Sequence, residues 1–111
     1  MKRKLEIKNE TLEFKMTNKT IFDIDEKFEN FGDVINGVMY GKNLYNNSLK
    51  VLACSCITRE LTVKELMDNL EPSQITTEIV NLATMLYFDY MGVKPQENDS
   101  NLIDTQENKK K

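Results

Sequence analysis

The chain has 111 residues, 15 basic and 18 acidic side chains, a formal net charge of −3 and no histidine. A chain of that length builds one small domain with a modest core. The acidic balance argues against a nucleic-acid partner, and the missing imidazole removes the commonest general base, metal ligand and pH switch together.

No apolar run approaches the ~20 residues that span a bilayer, so no membrane partner is expected. The basic start MKRKLEIKNE has no apolar stretch behind it and does not read as a secretory signal. Cys54 and Cys56 would point about 160° apart on a helix, so they do not easily pair with each other. At least one reads as a small buried apolar residue, with a redox or metal role as the alternative; free cysteines fit a reducing cytosol.

Lys4 to Met16 alternates apolar and polar residues, Leu5 and Ile7 and then Leu12, Phe14 and Met16, which predicts a β-hairpin turning at Asn9-Glu10-Thr11. A lone hairpin is marginal in water, so its apolar face must lie on the helices that follow. Thr17 and Asn18 are N-cap candidates for a helix carrying Ile21, Ile24, Phe28 and Phe31, with Phe22 to one side and Gly32 as its stop. Asp23, Asp25, Glu26 and Glu29 fan around the polar face of that helix without EF-hand order, which suits a solvated surface.

Asp33 is placed to cap a short helix with Val34, Ile35, Val38 and Met39 inward. GKNLYNNS, residues 41–48, reads as a loop of turn formers and lacks the spacing of a phosphate loop. Leu49 to Ile57 is expected to be helical, with Leu49, Leu52, Ala53, Cys56 and Ile57 inward. Thr62 and Glu65 form a capping-box pattern, with Val63, Leu66, Met67 and Leu70 as the apolar side of a short helix.

The longest helical pattern is PSQITTEIVNLATMLYFDYMG, Pro72 to Gly92. Ile75, Ile79, Leu82, Ala83, Leu86 and Tyr90 form one apolar stripe, Pro72 suits a first turn and Gly92 a left-handed stop. The two C-terminal helices should form a tight helical hairpin. Val80, Tyr87 and Met91 stand beside the stripe, so the apolar arc is wider than a core-facing helix needs. Val80, Tyr87, Phe88 and Met91 are therefore candidate partner-binding residues, with packing against the hairpin or a second copy as the alternative.

After Gly92 the sequence turns polar, and residues 93–111 are expected to be a disordered tail. The fold class is thus α+β: residues 1–92 form a hairpin packed on a mostly helical domain that ends in one long amphipathic helix. No catalytic constellation emerges, and no cofactor or metal is implied. Tyr40, Tyr45, Tyr87 and Tyr90 are not interleaved with basic residues, and Arg59 and Lys64 are too few for a DNA-recognition helix.

The order of these elements, carried by LEIKNETLEFKMT (Leu5–Thr17), FDIDEKFENFG (Phe22–Gly32), LTVKELMDNLE (Leu61–Glu71) and the closing helix, is similar to the tail assembly chaperones of long-tailed phages and prophages of Gram-positive bacteria. The resemblance runs from Leu5 to Gly92. It implies a non-catalytic chaperone that coats the helical, aggregation-prone tape-measure protein in the host cytoplasm and leaves before the virion matures. It also implies a longer form made by ribosomal slippage, for which an A-rich stretch encoding Asn108–Lys111 is a candidate; a solubilising lysine cluster is the plainer reading. Ring or spiral homo-oligomers would suit a coating protein. The rival class is a small prophage regulatory or adaptor protein that binds another protein.

Overall fold

A computed structural model describes residues 2–28 and 30–93. Among these residues an antiparallel hairpin, β1 (Arg3–Ile7) and β2 (Glu10–Phe14), precedes five α-helices: α1 (Asn18–Lys27), α2 (Phe31–Tyr40), α3 (Leu44–Ser55), α4 (Val63–Asn69) and α5 (Ile79–Met91). The protein is therefore α+β. Apart from the exposed Val93, the expected tail lies outside the described residues, as do Glu29 and Asn108–Lys111.

The period-two pattern acts as expected: Leu5, Ile7, Leu12 and Phe14 are all buried on one face of the hairpin. The turn, however, is the two-residue Lys8-Asn9, with Lys8 at φ 56°, and Glu10 and Thr11 already belong to β2. This short turn sets Leu5 opposite Leu12 and keeps both on the core face, which a one-residue slip would forbid.

The outer edge of β2 is closed by the chain leaving α3. Lys15 N–H donates to the Ser55 carbonyl and Ile57 N–H to the Glu13 carbonyl, each at 2.9 Å, around a bridge between Phe14 and Cys56. The Thr58 hydroxyl accepts from Glu13 N–H at 2.8 Å. Cys56 is thus extended (φ −70°, ψ 128°) and half-buried rather than an inward helical position, and Ile57 is 47% exposed. Edge pairing overrides the helical period at these two residues.

The helix expected to stop at Gly32 is two helices. α1 ends at Lys27, and the Asn30 side chain accepts from Asp33 N–H at 3.3 Å. Asn30 rather than Asp33 is the cap, and Phe31-Gly32 lies in the first turn of α2. Asp25 adds a second acceptor, 2.5 Å from Phe31 N–H. Gly41, at φ 81°, then ends α2 in the left-handed conformation that glycine tolerates best.

Only Gly41–Asn43 remains of the expected loop, because α3 begins at Leu44. Its asparagines are not all turn formers: Asn47 is buried and donates from Nδ2 to the Lys42 carbonyl at 2.8 Å. Gly37 makes room for that amide, since a Cβ there would collide with it. Ser48, Leu49, Val51 and Leu52 complete the buried side of α3, which packs against α1, α2, α4 and α5 and is the hub of the helical layer.

α4 opens on half of the expected capping box. Thr62 Oγ1 accepts from Glu65 N–H at 3.0 Å, but the Glu65 carboxylate turns to Arg59. Leu66 and Leu70 are buried, whereas Met67 is exposed instead of lying on the apolar side. α4 rests chiefly on α3, so the expected tight hairpin with α5 is not formed.

α5 is entered through Pro72-Ser73 and a π-helical turn, Gln74–Glu78, in which Ile79 N–H reaches back to the Gln74 carbonyl. The Thr76 and Thr77 hydroxyls bond the Pro72 and Ser73 carbonyls at 3.1 and 2.8 Å. Gln74 ties this turn to the hairpin, donating to the Glu6 carbonyl at 2.6 Å and accepting from Glu71 N–H at 2.9 Å. Beyond it the stripe is as periodicity dictates: Ile79, Leu82, Ala83 and Leu86 are buried, Tyr90 is half-buried, and Gly92 at φ 77° ends the helix.

Candidate partner-binding face

Positions 80, 84, 87 and 91 of a helix fall within an arc of about 60°, so Val80, Thr84, Tyr87 and Met91 form a line along α5, with Phe88 to one side. The structure divides the four candidate residues. Val80 and Tyr87 are half-buried and pack on the edge of the core. Phe88 is half-buried without joining that packing, and Met91 is 54% exposed. The N-terminal part of the line is thus core margin and the C-terminal part is open.

Phe31 extends this surface in a way the helical period had hidden. Because it opens α2, its ring reaches Tyr87, with centroids 6.4 Å apart and planes tilted by 50°. Tyr87 in turn meets Phe88 at 6.5 Å. Such tilted contacts suit the quadrupoles of aromatic rings and hold Tyr87 in place. The signal for Phe31 was the asparagine one position before it, a better cap than Gly32 was a stop.

At the end of α5 the Tyr90 hydroxyl bonds Oδ1 of Asn18. This contact seats the start of α1 against the last turn of α5. Phe22, one turn beyond Asn18 on the same side of α1, is 70% exposed. Asp89 points to the opposite side of α5 from Val80, where Arg3 holds it. The ridge of Val80, Tyr87 and Met91 therefore carries no charge of its own, although the chain is acidic.

Clefts lie elsewhere among the described residues. One of about 290 Å³ runs between α1 and the end of α3, lined by Lys15, Lys19, Asp23, Lys27, Cys54 and Arg59. Lys19 pairs with Asp23 there at 2.7 Å, and burial pushes the Cys54 thiol up, which favours the unreactive thiol over the thiolate. Another is a polar groove of about 490 Å³ between α2 and α3, bordered by Asp33, Asn36, Tyr40 and Asn47. Among the described residues no three His, Cys, Asp or Glu side chains converge to hold a metal, and no helix is long and apolar enough to cross a membrane.

No family model, curated protein or solved structure matches this chain.

Proposed function

We propose that this protein is a non-catalytic tail assembly chaperone that keeps a helical tape-measure protein soluble while a phage tail is built around it. The observation that carries the reading is the uncharged ridge on α5, in which Tyr87 is held by Phe31 and Met91 is exposed, with the half-buried Phe88 beside it. An amphipathic client helix buries its own apolar stripe against such a ridge, and a methionine adapts to varied side chains. The sequence resemblance over Leu5–Gly92 supports the same reading. It implies activity in the host cytoplasm, outside the finished particle, with a slippage-extended form as a second product.

The test is co-expression with a long helical tape-measure client. With the unaltered chain the client stays in the soluble fraction. With Phe88→Glu and Met91→Glu together, the chaperone keeps its helical circular dichroism but the client precipitates. A client that precipitates beside the unaltered chain, or stays soluble beside the double variant, overturns the reading.

A further inference from the structure

Among the described residues the outer edge of β2 is closed at Glu13 and Lys15, whereas the outer edge of β1 is largely open. In the β1–β2 ladder Leu5 pairs with Leu12 and Ile7 with Glu10 across a two-residue turn, so these residues exchange their backbone hydrogen bonds. Glu13, the residue between such pairs on β2, turns its groups outward and spends them on Thr58 and Ile57. On β1 the corresponding residues are Lys4 and Glu6. The Glu6 carbonyl accepts from Gln74. The Lys4 N–H and carbonyl and the Glu6 N–H have no partner among the described residues. Both side chains are exposed on the face away from the core.

We propose that a second copy of this chain adds to this edge, β1 against β1, antiparallel about a two-fold axis through Leu5. The argument is charge complementarity in one register. With Leu5 opposite Leu5 of the second copy, Lys4 lies opposite Glu6 of the second copy, and the symmetry repeats the pair. Lys4 N–H meets that Glu6 carbonyl, which has a second lone pair beside the one Gln74 uses. The Glu6 N–H of the second copy meets the Lys4 carbonyl, so the open groups on both edges are satisfied. The result is a four-stranded sheet in the order β2–β1–β1–β2, with both helical layers on one side and Leu5, 2% exposed, at the seam between the two cores.

The neighbouring registers are penalised. Within Arg3–Ile7, sliding one copy by two residues sets Lys4 opposite Lys4, or Glu6 opposite Glu6, and like charges directly across a ladder repel; it also cuts the paired strand residues from five to three, while Lys2 and Lys8, which face each other in the proposed register, lie outside the strand. A one-residue slide turns the open backbone groups away from each other. Exposed charges on an edge strand usually deter pairing. Here one lysine and one glutamate, two residues apart, deter other strands and fit their own copy. The interface is isologous and closes on itself as a dimer. It leaves the Arg3–Asp89 contact untouched and is independent of the chaperone reading.

The test is sedimentation equilibrium on four forms of the full chain: unaltered, Lys4→Glu, Glu6→Lys and the double reversal. Among the described residues neither side chain makes an ion pair within its own copy, so helical circular dichroism should be alike for all four. The unaltered chain forms a reversible dimer. Each single reversal turns two attractive cross-strand pairs into two repulsive ones and weakens it about tenfold or more. The double reversal restores it. An equimolar mixture of the two single variants forms a mixed dimer of unaltered affinity, because the β1 with two carboxylates then faces a β1 with two lysines. That mixture excludes a fold defect as the cause of weakening, a needed control because Lys4→Glu also sets a carboxylate opposite Glu13 in its own hairpin. A chain that stays monomeric at every soluble concentration, or a dimer equally strong in all four forms, overturns the proposal.

Discussion

The guanidinium of Arg3 grips both carboxylate oxygens of Asp89, 2.6 Å from Nε to Oδ2 and 3.1 Å from Nη2 to Oδ1. Each side chain keeps less than a third of its surface exposed, 28% and 21%. The pair ties the first strand to the last turn of α5. Asp89→Asn should cost about 1–2 kcal/mol, above the usual value of an exposed ion pair because the geometry is bidentate. Urea unfolding read by circular dichroism measures the loss, and a double-mutant cycle with Arg3→Gln should recover a coupling of similar size.

A second arginine governs the acid limb of stability. Arg59 bonds both oxygens of Glu10 at 2.9 Å and also holds Glu65, and these hydrogen bonds pull both carboxyls below their ordinary value of 4.5. A carboxylate with a lowered folded-state pKa stabilises the fold above its unfolded-state value and loses that contribution as pH falls through the folded one. The urea midpoint of the unaltered chain should therefore exceed that of Arg59→Gln by a constant margin above about pH 5 and lose that margin as pH falls through the lowered folded-state values. Equal midpoints at neutral pH would show that the cluster adds nothing.

Gly37→Ala should destabilise the protein, although alanine is the better helix former. The added Cβ would collide with the Asn47 amide and sit 2.5 Å from the Lys42 carbonyl, a backbone atom that cannot simply swing away. Overpacking of this kind costs about 1–3 kcal/mol against a gain of about 1 kcal/mol in helix propensity. At Gly32 the nearest atom is the Asn30 side chain, at 2.9 Å, so alanine there disturbs only a cap. Thermal melts of the two variants should rank Gly37→Ala clearly lower.

The π turn behaves as one residue too many in an otherwise regular helix. Deleting Thr76 should convert Gln74–Glu78 to an ordinary turn while leaving Ile79, Leu82, Ala83 and Leu86 on the core. The melting temperature should move by no more than a few degrees. Deleting Asn81 instead rotates everything after it by about 100° and should abolish cooperative melting.

Patterns that depend on a single element were readable in advance. The hairpin face from Leu5 to Phe14 and the α5 stripe from Ile79 to Leu86 follow from period alone, and both are buried. What escaped were positions decided by distant chain. Asn47 reads as a turn former until Gly37 and Lys42 are beside it, and Cys56 and Ile57 read as helix until β2 offers them an edge. The candidate face was half legible: the spacing of Val80, Tyr87 and Met91 puts them in line, but only the α1–α2 break brings Phe31 onto Tyr87.

The closure of β2 by the Ser55–Thr58 stretch sets an order on folding. The hairpin strands are made first, yet Glu13 on the outer edge of β2 waits 45 positions for Thr58, and Arg3 waits 86 positions for Asp89. The hairpin's ladder is local, but the contacts that hold it to the rest of the fold wait for Thr58 and then Asp89, and closing such long loops slows folding. During synthesis the apolar underside of the hairpin stays uncovered. Until α5 arrives, the nascent chain thus passes through a stage with its own apolar surface open to water.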